Sequence, residues 1–499
     1  MTRRDAAPPI AAALAALAGI AALAATVGVW RLAPRPLLPA PLSTVLLARD
    51  GSLLGARIAA DGQWRFPPLA SVPDKFRSAL LAFEDRRFAE HRGVDWLAVA
   101  RAAGQNLKAR RVVSGGSTLT MQLARLVRTA QTRGTAAERR RARTLRDKAI
   151  EALLALRLEL QYSKAEILAL YASHAPFGGN VVGLEAAAWR YFGRAPAELS
   201  WAEAATLAVL PNAPALVTPG RNRLRLQRRR DALLLRLAAS GVLDRLDLKA
   251  ALAEPLVGAP LPLPNDAPHY LDTLRRRTPD RHRLHSTLDA TLQRQAVELV
   301  RDHARELERQ NVHNVAALVL DNRTFDVLAY VGNAEWSLAR GRGFAVDIVQ
   351  RPRSTGSILK PFLYAALLDS GQLLPRMLVA DVPTQIAGYM PENFDRQYRG
   401  AVPADVALAQ SLNVPAVRLL QQYGVERFYD ALRARGFSTL VRPPSHYGLT
   451  LVLGGAEGTL WDITHLYARL VADARGADPR AGAGHFSPGA AWLTLQALL

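Results

Sequence analysis

Ser357 and Lys360 stand three residues apart in Gly356-Ser357-Ile358-Leu359-Lys360-Pro361, and no other lysine of the chain has a serine three residues before it. On a helix the spacing puts hydroxyl and amine on one face. An amine whose pKa is lowered by burial can then take the serine proton and leave an oxygen nucleophile for acyl transfer. Standing alone, the pair equally describes a helix start in which Ser357 caps and Lys360 is solvated. Downstream, Ser411-Leu412-Asn413 adds a second hydroxyl and an amide.

Four stretches of the first half also carry chemistry-bearing side chains. Glu84-Asp85-Arg86-Arg87-Phe88, with His91, Gly93 and Asp95 beyond it, reads as a charged helix end. Ser114-Gly115-Gly116-Ser117-Thr118-Leu119-Thr120-Met121-Gln122-Leu123-Ala124-Arg125 places glycines and hydroxyls before a helix. Backbone N–H groups and the positive dipole end there can hold phosphate, although a simple capped turn has the same text. The run Arg128 to Lys148 is strongly basic and leads to Glu151, and as a helix face it is solvated. The fourth stretch runs from Lys164 to Tyr171 and on through Pro176-Phe177-Gly178-Gly179-Asn180 to Tyr191, which reads as helix packing around a glycine turn.

The elements that must position these groups are mainly helices up to about Arg230. Lys75 to Phe83 has apolar residues at helical spacing, while Ser163 with Glu166 and Ser200 with Glu203 are capping boxes. After the Pro-rich joint Pro255 to Pro268, the runs Val315 to Leu320 and Val327 to Val331 flank a turn at Asp321-Asn322-Arg323, which predicts a β-hairpin opening a mixed α/β domain near residue 311.

The 499 residues carry a net charge of +21, are 49% hydrophobic and 21% charged, and include no cysteine. That composition excludes a disordered chain, a disulfide scaffold, a Cys zinc site and a thiol nucleophile. The positive balance suits anionic partners, but no nucleic-acid motif accompanies it. Ala6 to Trp30 is uncharged and long enough to cross a bilayer. With Arg3 and Arg4 before it and Trp30-Arg31 as an interfacial anchor, it predicts a retained transmembrane helix with a cytoplasmic N-terminus, rather than a cleaved signal peptide.

In order and spacing, the four stretches resemble the family 51 glycosyltransferase domain of class A penicillin-binding proteins. Met121-Gln122 and Ala175 to Asn180 are nearest the 1C branch of that family. Ser357-x-x-Lys360 and Ser411-x-Asn413 resemble the transpeptidase domain of the same proteins. The resemblance implies a multidomain chain: a cytoplasmic tail over 1–8, a transmembrane helix over 9–30, a mainly α, lysozyme-like glycosyltransferase domain over 45–230, a linker region over 231–310, and a partial α/β penicillin-binding (serine acyltransferase) domain over 311–499.

The implied activity is polymerisation of lipid II into β-1,4-linked glycan with release of undecaprenyl pyrophosphate, outside the cytoplasmic membrane. Glu84 matches the family's base and Glu151 its second essential carboxylate. Asp85, Arg87, Ser117, Thr118, Gln122, Arg125 and Lys148 fall on substrate-binding positions, with Arg125, Lys148 and the Ser117-Thr118 turn facing the departing diphosphate. In the second domain Ser357 would be acylated by a stem peptide ending in D-Ala-D-Ala, with Lys360, Ser411 and Asn413 moving protons and binding the amide. The implied partners are lipid II, nascent glycan, stem peptides and the membrane. Neither cofactor nor nucleic acid is expected.

Two matches fail in the first domain. Asp147-Lys148 stands where the family has Arg-Lys, and Tyr171-Ala172-Ser173 where it has Tyr-Leu-Asn. No lysine follows Lys360, so the family's Lys-Thr-Gly strand is absent; the expectation is a transpeptidase domain lacking its C-terminal part, weakly acylated if at all. These departures leave a second expectation open, a non-catalytic membrane scaffold that binds lipid II or cell-wall synthesis partners.

Overall fold

The structure is a computed structural model and describes residues 37–109, 115–131, 144–212, 222–256, 258–335, 342–476 and 485–499. The expected transmembrane helix over 9–30 and the centre of the basic run lie outside the described residues. Among the described residues, no helix is long and apolar enough to cross a membrane.

The chain divides into two compact units, one of Met1–Val45, Ala56–Pro264 and Asp280–Arg283, the other of Leu46–Gly55, Asn265–Pro279 and Leu284–Leu499. The first unit is helical: α1 (Asp74–Glu84), α2 (Trp96–Ala109), α3 (Leu119–Gln131), α4 (Leu145–Gln161), α5 (Lys164–His174), α6 (Leu184–Phe192), α7 (Trp201–Val209), α8 (Arg223–Ala239) and α9 (Arg245–Ala253). Both expected capping boxes form, at Ser163 with Glu166 and at Ser200 with Glu203. A third, Thr144 with Asp147, starts α4.

Alanine-rich α7 is buried along its whole apolar length, as a helix with no polar stripe must be. It packs against α1 and α8, while α3 packs against α4 and α5. Gly93 permits the close approach of its turn to α4: its φ is 87° and a Cβ there would stand 2.8 Å from the carbonyl carbon of Ala155.

The stretch 231–310, read as a linker, is folded. Leucines at helical spacing in α8 bury Leu226, Leu233, Leu234 and Leu237 in the first unit. Pro268–Arg277 (α10) and Ala290–Leu307 (α11) belong to the second. The prolines between 255 and 268 interrupt the helices only briefly, because amphipathic text on either side, in α8 and α10, folds onto a core.

The second unit mixes α and β. Its expected hairpin pairs Ala317–Leu320 antiparallel with Val327–Val331. Its core surrounds α12 (Lys360–Asp369), where Leu359, Phe362, Leu363 and Leu367 pack with Leu420, Phe428, Leu451 and Leu470. Three further helices matter to the second site: α13 (Ala404–Ala409), α14 (Asn413–Tyr423) and α15 (Val425–Ala434).

Candidate active sites

In the first unit Glu84 is the last residue of α1, where the chain leaves the helix at Asp85 with φ −159°. Its carboxylate accepts a hydrogen bond from Gln122 Nε2 at 2.9 Å and is reached by Asn212 Nδ2 at 3.5 Å. Burial pushes its pKa above the usual carboxylate range; the hydrogen bonds from Gln122 and Asn212 oppose the rise by favouring the ionised form. Gln122 Oε1 in turn accepts from the Tyr171 hydroxyl at 3.1 Å. Helices α1, α3 and α5 thus each send one side chain to this point. Arg125, exposed and one helical turn beyond Gln122, lies on the same face of α3.

Asp85 and Thr118, both expected to bind substrate, are occupied in building the start of α3. Asp85 Oδ2 accepts the Leu119 N–H at 2.9 Å, and the same buried carboxylate meets His91 Nε2 at 3.0 Å. Thr118 Oγ1 donates to the Gly93 carbonyl at 2.5 Å and accepts from the Met121 N–H at 3.1 Å. A carboxylate and a hydroxyl therefore satisfy two of the N–H groups at this helix start, as in a capped turn, where phosphate was the other expectation. Ser117, half-buried, precedes this cap.

Arg87 pairs with Glu90 at 2.7 Å and with Asp95 at 3.2 Å, and Asp95 caps α2 through the Ala98 N–H. Lys164 Nζ donates to the His91 carbonyl at 2.6 Å and to Glu159 at 2.8 Å, and lies 4.4 Å over the Phe88 ring. Glu159 also accepts from Thr120 Oγ1 at 2.6 Å.

Glu151 is buried on α4 and Lys148, three residues earlier, is exposed. Asp147, the departure from the family pattern, has a structural occupation: it closes the Thr144 capping box and accepts from Arg128 at 3.0 Å. Hydrogen bonds from the Thr144 backbone and hydroxyl, and from Arg128, hold its carboxyl well below the usual range. Ser173, the other departure, accepts the Leu69 N–H at 3.1 Å.

In the second unit Ser357 lies in the turn before α12, and the Lys360 N–H donates to its carbonyl at 3.1 Å. Lys360 is buried at 4% exposure. Its ammonium donates to the Ser411 carbonyl at 2.6 Å, to Ser411 Oγ at 3.2 Å and to Asn413 Oδ1 at 2.7 Å. The expected direct partnership with the Ser357 hydroxyl is replaced by one with the Ser-x-Asn element, because three acceptors converge there on three donors. Burial brings the Lys360 pKa down to about 8, so an appreciable neutral fraction exists near neutral pH.

Residues that sequence reading missed hold that element in place. Asn393 Oδ1 accepts the N–H groups of Asn413 at 2.9 Å and Val414 at 3.3 Å, capping α14 from outside because Leu412 at its N-cap has no side-chain acceptor. Asn393 Nδ2 donates to the fully buried Asp381 at 2.7 Å. Ser411 itself has φ 53°, a left-handed conformation uncommon for a residue with a Cβ. Behind Ser357, Ser354 donates to the Gly454 carbonyl at 2.9 Å, and a Cβ on Gly454 would stand 2.9 Å from the Gly356 nitrogen. A cavity of about 540 Å³ between Asn265, His269, Tyr330 and Glu335 includes none of the expected site residues.

The chain matches the transglycosylase family model over residues 51–238 and the penicillin binding protein transpeptidase domain model over residues 315–463. It is 38% identical to penicillin-binding protein 1C of Escherichia coli (strain K12), over 93% of this chain and 60% of that protein. It is 29% identical to penicillin-binding protein 1F of Bacillus subtilis (strain 168), over 77% of this chain and 53% of that one. Identity to penicillin-binding protein 1B of Haemophilus influenzae is 30%, over 83% and 54%. The chain therefore spans between about half and three fifths of the length of these curated relatives.

Proposed function

The chain belongs to the class A penicillin-binding proteins, and from that premise we propose that its helical unit polymerises lipid II into β-1,4-linked glycan and releases undecaprenyl pyrophosphate. The observation that carries the proposal is the carboxylate of Glu84, raised in pKa by burial yet kept ionisable by the Gln122 amide. A base of that kind accepts the proton of a sugar hydroxyl as the oxygen attacks an anomeric carbon. The departing diphosphate develops negative charge, which Arg125 and Lys148 stabilise in the transition state. Glu151 orients the cations of α4. Arg128, neutralised by Asp147, contributes little, which lowers the expected rate.

The lysozyme-like fold, the domain limits and the location also belong to this reading. The helical unit sits at the outer face of the cytoplasmic membrane, supported by apolar side chains left exposed on α2 and α4: Trp96, Leu97, Leu107, Leu153, Leu156 and Leu160. The second unit is the acyltransferase domain, in which neutral Lys360 takes a proton through Ser411 while Ser357 is acylated.

The test is incubation of the purified full chain with labelled lipid II, followed by size analysis of the products. Glu84→Gln removes the base while keeping the Gln122 contact, and polymerisation falls on the order of 10²–10⁴-fold. Polymerisation by this variant at the parent rate would remove Glu84 from its role. Retained lipid II binding without polymer growth by the parent chain would favour the scaffold reading.

A further inference from the structure

We propose that Tyr171 is a positioning residue for Glu84, acting through Gln122 by fixing which end of the amide meets the carboxylate. The inference rests on reading Glu84 as the base. Tyr171 is 2% exposed, and its hydroxyl donates to Gln122 Oε1 while Gln122 Nε2 donates to Glu84.

A glutamine amide has two faces of similar shape and opposite hydrogen-bonding character. With Nε2 toward Glu84 it stabilises the carboxylate; turned over, it would present Oε1 and stabilise the protonated acid. The turned amide could still donate to the phenol oxygen, but the phenol proton would then lose the acceptor that it has at Oε1. Stranding a buried O–H is costly. Burial also pushes the Tyr171 pKa far up, so the hydroxyl keeps its proton and always needs that acceptor. Tyr171 thus biases Gln122 toward the orientation that keeps Glu84 ready to accept a proton.

The other charged groups around Glu84 do not change when this hydroxyl is removed. Asp85 follows it in the chain and Arg229 of α8 acts on its charge. Arg236 of α8 is bonded to the Ala82 carbonyl. On α7 the titratable group is Glu203, engaged at its own helix start. On α3, Arg128 is paired with Asp147 and Arg125 is exposed. On α5, Lys164 is bonded to Glu159, Glu166 to Ser163 and His174 to the Leu170 carbonyl.

The experiment measures lipid II polymerisation against pH for the full chain and its Tyr171→Phe variant. The acid limb of kcat is expected to move up by about half a pH unit or more, making the variant roughly threefold slower below the limb, with the parent rate recovered above it and KM unchanged. A uniform loss with the limb unmoved marks a merely structural role and overturns the proposal. Site-specific 3-fluorotyrosine at position 171 strengthens the donor at nearly unchanged shape and moves the limb the other way; no movement overturns the proposal even if the Phe variant does not fold. Gln122→Met moves the limb by itself, and adding Tyr171→Phe to it moves the limb no further. A further shift would mean that Tyr171 acts by another route. An active Glu84→Gln variant defeats the base assignment; an inactive one beside an unmoved Tyr171→Phe limb defeats the positioning role alone.

Discussion

Thr118→Val separates a structural hydroxyl from a substrate-binding one. The substitution is nearly isosteric, so packing changes little and the loss is confined to two hydrogen bonds. The Met121 N–H loses its cap, which costs about 1 kcal/mol. The Gly93 carbonyl, in a buried turn against α4, loses its donor, and an unsatisfied buried acceptor costs about 1–3 kcal/mol. A combined loss of roughly 2–4 kcal/mol lowers the melting temperature of a unit of this size by about 4–16 °C. The assay is thermal unfolding followed by far-ultraviolet circular dichroism, with lipid II polymerisation measured in parallel at a temperature where both proteins are folded. Thr118→Ser keeps the oxygen and its two bonds, so it should melt near the parent. If the Val variant melts with the parent while its KM for lipid II rises, the hydroxyl is a ligand of substrate and the helix-start assignment is wrong.

Lys360, with its pKa lowered to about 8, should show a reactivity toward acetic anhydride that rises through about pH 8 and not through the ordinary lysine value of 10.5, as read by mass spectrometry of competitively labelled protein. Its linkage to stability has a definite sign: the folded state holds this proton less tightly than the unfolded state, so the penalty is complete below about pH 8 and is relieved as pH rises from there toward the ordinary lysine value of 10.5. A Lys360 reactivity that rises only near pH 10.5 would contradict the burial argument. Any label that a fluorescent penicillin leaves on the chain should sit on Ser357 and be lost in Ser357→Ala. Labelling that survives Ser357→Ala would remove Ser357 from the role of nucleophile.

Much of this was legible where the signal is local. The Ser163 and Ser200 boxes, the hairpin around Asp321 and the order of the glycosyltransferase stretches are written in neighbouring residues. The glycine-hydroxyl turn before α3 was legible as a capped turn, but the sequence could not say that the occupant would be Asp85, from 34 residues upstream, rather than a phosphate. Gln122 could be singled out as a candidate without its partner, because contact between α3 and the end of α1 depends on how helices pack. Asn393 escaped notice for the same reason: a cap supplied from 20 residues before the helix leaves no pattern at the N-cap, where Leu412 has nothing to offer. Lys360 misled in the other direction, since its spacing from Ser357 is correct and the acceptors that claim its protons lie some 50 residues downstream.

The bonds that Lys164 makes to the His91 carbonyl and Glu159, with Thr120 on the same carboxylate and Asp85 on the Leu119 N–H, close a circuit through the end of α1, the start of α3 and the junction of α4 and α5. A circuit closed on itself does not fray from one end. Opening the turn at Gly93 requires releasing Thr118, and releasing Thr118 loosens the first turn of α3. These segments, far apart in sequence, therefore open together as one cooperative unit, so their amide hydrogens should exchange with solvent at a shared free energy. Glu84 and the Gln122 amide bonded to it stand at the edge of that unit, which ties the lifetime of their geometry to a collective event and not to the mobility of any single loop.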